Sequence, residues 1–243
     1  MKFDKIIAQR NDKTVYRDGD RGIKVFDERY LKADVLNEAL NMARIEETGL
    51  AVPKLIEVAM VDGKWAIISE YIEGKTLSQL MKENPEKKEE YISFLIDLQM
   101  SVHSKSAPFL NDLKARMSKK IAETDFDATL RYDLYSRLKE MPRHTKVCHG
   151  DFCPANIIMN DEKPYIIDWA HASQGNASAD VARTYLLFWM NGDISGAEIY
   201  LDAFCQRSST EKQYVKDWMP LVAAAQSITC KEKEREFLMS WVR

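Results

Sequence analysis

The sequence predicts an α+β fold in two lobes: a small β-rich N-terminal lobe with one long helix over residues 1–72, then a mainly helical C-terminal lobe over 73–243. Three observations carry this prediction. In the first seventy residues, two short β-rich runs, one long helical period and two further apolar runs follow in order. From Thr76 onward apolar residues recur mostly at helical spacing. Where that pattern is interrupted, short apolar runs stand beside distinctive polar residues.

Thr14-Val15-Tyr16 and Gly22-Ile23-Lys24-Val25-Phe26 flank the polar Asp18-Gly19-Asp20, the pattern of a hairpin. The helical period runs from Leu31 to Thr48, with Leu36, Leu40, Ala43 and Ile45 near one spacing, Gly49 as a stop and Pro53 beyond. Leu55–Met60 and Trp65–Ile72 read as strands around Asp62-Gly63, and Glu70 to Lys75 as the linker between lobes. Helices are then expected from Leu77, over Tyr91–Val102, Leu110–Glu123 and Ala128–Glu140, and again over Ala179–Met190, Ser195–Cys205 and Thr210 to the C-terminus. Between the two groups lie short strands around Val147, Ile157-Ile158-Met159 and Tyr165-Ile166-Ile167.

A chain of 243 residues that is 45% hydrophobic can bury a real core. Lys and Arg number 35 against 38 Asp and Glu, so there is no global basic field of the kind nucleic-acid binding exploits. No apolar run approaches the roughly 18 residues of a membrane span, and Met1-Lys2-Phe3-Asp4-Lys5 lacks the apolar core of a signal peptide. Cys148, Cys153, Cys205 and Cys230 form no C-x-x-C pair and are too few to staple a domain of this size. The expectation is a cytoplasmic protein with neither nucleic acid nor membrane as partner. Cys148, His149 and Cys153 lie close together, but no second ligand pair follows at zinc-site spacing, so no metal is expected there.

The densest chemical information is His149-Gly150-Asp151-Phe152-Cys153-Pro154-Ala155-Asn156, with Asp168 twelve residues after the Asn in Ile166-Ile167-Asp168-Trp169. Two carboxylates and an amide at the ends of short apolar runs are what phosphoryl transfer from a nucleotide needs: a base for the hydroxyl proton and oxygen ligands for Mg²⁺. H-x-D-x-x-x-x-N is the catalytic-loop signature of protein kinases. With Gly150 and Pro154 the segment resembles the H-G-D-x-x-P-x-N form of the aminoglycoside phosphotransferase and choline kinase family. That resemblance implies a protein-kinase-like fold and an ATP- or GTP- and Mg²⁺-dependent transfer to a small-molecule hydroxyl, the two lobes making one catalytic unit.

On this resemblance Asp151 is the catalytic base, and Asn156 and Asp168 are the Mg²⁺ ligands. Lys24 is the lysine of the nucleotide phosphates, with Glu38 as the first choice of partner and Glu46 and Glu47 as rivals. Glu70 and Ile72 offer backbone groups to a purine edge. His149 supports the loop backbone, and Asp180, in Ser178-Ala179-Asp180-Val181-Ala182-Arg183, braces it, with Arg183 buried or capping. His103 resembles a family position on a helix and is expected to be structurally satisfied. Each of these has a plainer alternative: a turn-capping Asp, a strand-ending Asp or a solvated strand Lys. The chain departs from kinases in having no G-x-G-x-x-G; Arg17-Asp18-Gly19-Asp20-Arg21-Gly22 stands in its place, and whether Gly19 and Gly22 meet phosphate or only turn is open.

The resemblance leaves the acceptor open among amino-alcohols, sugars and aminoglycoside-like molecules. No acidic cluster in the C-terminal half declares a pocket for a polycation. Trp189, Trp218, Trp241 and Tyr185 could cage a quaternary ammonium, but helix aromatics are more often core. A metabolic acceptor is therefore favoured over an antibiotic. There is no A-P-E element of a protein kinase, and a nucleotide-binding module without transfer activity is the non-enzyme alternative.

Overall fold

The computed structural model describes residues 3–9, 12–228, 230 and 232–242. Met1, Lys2, Thr229, Lys231 and Arg243, on which parts of the terminal readings fall, lie outside the described residues.

Five antiparallel strands form one sheet in the order β1-β2-β3-β5-β4: β1 (Lys5–Gln9), β2 (Lys13–Asp18), β3 (Arg21–Phe26), β4 (Leu55–Val61) and β5 (Lys64–Glu70). Two tight turns set its register. Gly19 follows Asp18 at φ +59°, the sign that a two-residue hairpin loop needs at its first position. Between Val61 and Lys64 both Asp62 and Gly63 have positive φ, the Asp-Gly pairing of a type I′ turn. Strand β1 was absent from the sequence expectation, and the physical reason is visible. It is an edge strand whose Ile6 and Ile7 are 52% and 43% exposed, so no buried alternation marks it.

Helix α1 (Lys32–Glu46) packs on β4 and β5. Its buried face is Val35, Glu38, Ala39, Asn41 and Ile45; Leu36 and Leu40, which the periodicity placed together, are exposed. Phe26, Val35, Ala39 and Ile67 form the core between helix and sheet. Ile23, Val61, Ala66 and Ile68 form a second cluster with Tyr16 and Val25 packed against it. Full burial of each of the valine, isoleucine and phenylalanine side chains among them is worth about 1.5–3 kcal/mol. A second, three-stranded sheet joins β6 (Lys75–Thr76), β8 (Ile157–Asn160) and β9 (Lys163–Ile166) in the order β6-β8-β9. Gly74 enters it at φ +147°, where an added Cβ would lie 2.0 Å from the Met159 carbonyl oxygen, so only glycine fits.

The remainder is mainly helical: α2 (Leu77–Glu83), α3 (Lys88–His103), α4 (Leu113–Ala122), α5 (Ala128–Glu140), α6 (Ala177–Met190), α7 (Ile194–Ser208), α8 (Lys212–Gln226) and α9 (Glu232–Val242). Four helices start on an Asp or Asn that accepts a backbone N–H of the first turn: Asp112, Asp127, Asn176 and Asp193. The single C-terminal stretch expected from Thr210 is two helices, because α8 ends at Gln226. A short ladder pairs β7 (Lys146–Cys148) with β10 (Ser173–Gly175), the latter too short to announce itself in sequence. No helix among the described residues is long and apolar enough to cross a membrane.

Contacts group Met1–Leu80 with Pro154–His171 as one compact unit, and Met81–Cys153 with Ala172–Arg243 as the other.

Candidate active site

In the sheet-containing unit, a charge cluster lies on a cavity of about 410 Å³. Lys24, on central strand β3, donates from Nζ to Glu38 Oε1 at 2.5 Å and to Asp168 Oδ1 at 3.0 Å. All three side chains are at most 18% exposed. Burial alone would push the Lys24 ammonium toward neutrality, but the carboxylates of Asp168 and Glu38 outweigh it and hold its pKa above the ordinary value. Of the three acids weighed, Glu38 is the one at Lys24; Glu46 instead accepts the Leu55 backbone N–H, and Glu47 lies just past the end of α1.

The β8–β9 hairpin delivers the other two oxygen-bearing residues. Asn156 precedes β8 and Asp168 follows β9, and the Ile167 N–H donates to the Asn156 carbonyl at 2.9 Å, tying the two ends together. Asp168 itself takes φ +64°, a left-handed conformation that costs a non-glycine residue on the order of 1–2 kcal/mol. Its turn is gripped from α1, where Asn41 Nδ2 donates to the Trp169 carbonyl at 3.3 Å, and Trp169 is buried with its indole N–H on Ile166.

Sequence reasoning missed Lys13. Its Nζ lies 3.7 Å from Asp168 Oδ2, and the side chain is 14% exposed in the cavity wall. Burial first, and then the neighbouring Lys24, lower its pKa, with Asp168 and Glu38 opposing. The signal was the strand period: Val15 pairs with Lys24 across the ladder, and Lys13 is two residues from Val15, on the same face.

Glu70 and Ile72 also line this cavity. The Glu70 N–H is used by the Lys54 carbonyl, whereas the backbone of Ile72 makes no hydrogen bond among the described residues. Gly22 lines the cavity and Gly19 does not; Gly19 turns the hairpin and gives its N–H to Asp4. Asn156 and Asp168 offer hard oxygen donors in one wall, the type Mg²⁺ takes when phosphates and water complete its shell. Two ammonium groups beside them suit phosphate.

Asp151 belongs to the helical unit. The ladder of β7 with β10 leads into His149-Gly150-Asp151, and the buried carboxylate of Asp180 on α6 holds that turn. Gly150, at φ +80°, donates its N–H to Asp180 Oδ1 at 2.7 Å, and His149 donates its N–H to Oδ2 at 3.2 Å. His103 Nε2 lies 3.0 Å from Oδ2. Burial would raise the Asp180 pKa, but the His103 contact, His149 and the Gly150 amide overcome it and hold the carboxyl below its ordinary value. His149 is fully buried, and its Nδ1 accepts the Asp151 N–H at 3.2 Å. Asp151 Oδ1 receives Arg183 Nη2 at 3.0 Å, a direct contact that the sequence reading, which gave Arg183 a buried or capping place, had not assigned.

Of the four aromatics weighed for an ammonium cage, Trp218 is fully buried, whereas Tyr185, Trp189 and Trp241 lie together with Phe237: Trp189 stacks on Phe237 at 5.7 Å, and the Tyr185 ring lies 5.8 Å from Trp241 and 6.4 Å from Trp189.

A β-rich N-terminal sheet with one packed helix, followed by a helical C-terminal part, puts the chain among kinase-like α+β proteins. The model of the phosphotransferase enzyme family (APH) matches residues 5–218, and the chain belongs to that family. Among solved structures it is similar to an aminoglycoside-3′-phosphotransferase of type VIII, at 18% identity over 91% of this chain and 93% of that one, with a TM-score of 0.69. It is also similar to a thermostable mutant of an aminoglycoside phosphotransferase in ternary complex with ADP and hygromycin B, at 13% identity over 98% and 90%, TM-score 0.72. A third is a choline/ethanolamine kinase family protein from Mesorhizobium loti, at 14% identity over 97% and 86%, TM-score 0.64. No curated protein matches.

Proposed function

We propose that the chain transfers the γ-phosphoryl group of ATP or GTP to a hydroxyl of a small metabolite. The observation that carries this reading is the buried Lys24, held by Glu38 and Asp168 in the wall of a cavity that Asn156 also lines. A fixed, permanently charged ammonium of that kind suits nucleotide phosphates.

Lys24 and Lys13 bind the phosphates, and Glu38 keeps Lys24 aimed. The backbone of Glu70 and Ile72 faces the purine edge. Asn156 and Asp168 hold Mg²⁺, which when bound neutralises phosphate charge. Asp151 orients the acceptor hydroxyl and takes its proton, while Asp180 and His149 keep the loop turn in place. Residues 1–72 serve as the nucleotide lobe and 73–243 as the lobe of the base and acceptor, in one catalytic unit. A cytoplasmic setting, where nucleoside triphosphate is supplied, fits this chemistry.

The test is Mg²⁺-dependent consumption of ATP and GTP with a pooled library of hydroxyl metabolites. The parent should consume nucleotide with some acceptor, and Asp151→Asn should lower kcat by about 10²–10⁴. Nucleotide that binds but is consumed by neither protein beyond background would identify a binding module instead.

A further inference from the structure

In the helical unit Arg183 pairs with Asp151, and Lys120 on α4 lies within electrostatic reach of both and of Arg116. Arg183 reaches Asp151 with one nitrogen, its side chain is 10% exposed, and its Nε is buried without a hydrogen-bond partner among the described residues. Arg116 and Lys120 are one turn apart on α4 and share a face. Arg116 gives Nη1 to the Ala172 carbonyl at 2.9 Å. Lys120 is half-buried and makes no hydrogen bond or ion pair among the described residues. Burial, then repulsion from Arg116 and Arg183, push its pKa down to about 8, with attraction from Asp151 and Glu123 opposing. Glu123 is an exposed residue, where water screens its charge.

This is an expensive arrangement for a fold to keep. An ammonium drawn out of water beside two guanidinium groups loses hydration and meets like charge, and a neutral side chain of its length would remove both penalties. The same group becomes favourable when an anion arrives, because a charge-assisted hydrogen bond then replaces the lost hydration.

We propose that Lys120 and Arg116 on α4, with Arg183 on α6, bind an acidic group on the acceptor, so that the acceptor is an alcohol carrying a carboxylate or a phosphate. The inference rests on Asp151 being the base that receives the acceptor's proton. It narrows the acceptor to hydroxy acids and phosphorylated alcohols and sets aside aminoglycosides and amino-alcohols without an acid.

Two experiments test it, one independent of turnover. Brief acetylation of the full chain with acetic anhydride at pH 8, read lysine by lysine by mass spectrometry, reports the accessibility of Lys120. D-glycerate or glycerol 3-phosphate should lower labelling there, while glycerol and ethanolamine should not. Protection by glycerate alone assigns a carboxylate; protection by glycerol 3-phosphate and inorganic phosphate assigns a phosphate. Equal labelling of Lys120 with every probe overturns the proposal. The second experiment divides a hydroxyl panel into anionic, neutral and cationic members. Turnover should fall among the anionic ones, with Lys120→Gln raising the acceptor KM about tenfold or more and Lys120→Arg restoring most of it. Preferred turnover of a cationic member, or a Lys120→Gln effect on nucleotide affinity in place of acceptor KM, overturns it as well. If ATP is untouched by the whole panel while acids still protect Lys120, the phosphotransferase reading fails and the anion site stands.

Discussion

Lys13 and Lys24 meet the same carboxylate with unequal strength, at 3.7 Å and 3.0 Å from Asp168. Lys24 is fixed from both sides, whereas Lys13 has the weaker contact and the lowered pKa, so it is the cation with more to gain from a phosphate. Lys13→Ala should weaken ATP binding by about threefold to tenfold and AMP binding hardly at all, as titration calorimetry can measure. Lys120 makes the opposite argument, since its charge costs stability. Its pKa of about 8 lies below the ordinary 10.5, so the penalty is full at every pH below 8 and fades as the pH rises from 8 to 10.5. Lys120→Met should therefore raise Tm at pH 7 by a few degrees, for a gain of about 1 kcal/mol after allowance for solvent screening, and by less at pH 10. Neither lysine could be singled out in sequence. Lys13 looks like any strand-end lysine until the register is known, and two of the charges acting on Lys120, Asp151 and Arg183, lie over thirty residues away in the motif loop and α6.

The loop His149-Gly150-Asp151 is an element whose shape depends on a side chain from another element. Asp180 accepts two of its backbone N–H groups and also meets His103 and Gln99. With its folded pKa depressed, Asp180 contributes stability that is complete above the ordinary carboxyl value of 3.8 and is lost as the pH falls through the folded value. Asp180→Asn should cost about 3 kcal/mol at pH 7 and lose less than the parent on going to pH 3, in urea melts at both pH values. This brace was legible because the Asp180 stretch carries a recognisable pattern. Helix α1 shows the limit of such reading. The helix is where the sequence placed it, but Leu36 and Leu40 face outward, and the buried stripe passes through Glu38 and Asn41, polar residues that a hydrophobic count assigns to water. They are buried because one holds Lys24 and the other holds the turn after Asp168. Strand β1 was invisible for a related reason, since an exposed edge strand has no buried face to betray it.

At the scale of the whole molecule, the candidate nucleotide residues Lys13, Lys24, Glu38, Asn156 and Asp168 fall in the unit built on the five-stranded sheet, and Asp151 falls in the helical unit. The chain passes from one to the other at Cys153–Pro154, inside the octapeptide. That is why a single short motif revealed the proposed chemistry: residues of both units are covalent neighbours there, and their spacing is carried by the chain itself. The acceptor's determinants have no such spacing, being spread over α4 and α6. The central claim is that Lys24 marks a nucleotide-phosphate site, and calorimetric titration of ATP with and without Mg²⁺ tests it most directly. The account predicts binding that Mg²⁺ tightens, that Lys24→Ala weakens about tenfold or more, and that Asp151→Asn leaves unchanged. A parent chain that binds no ATP, or a Lys24→Ala variant that binds it equally well, would contradict the account.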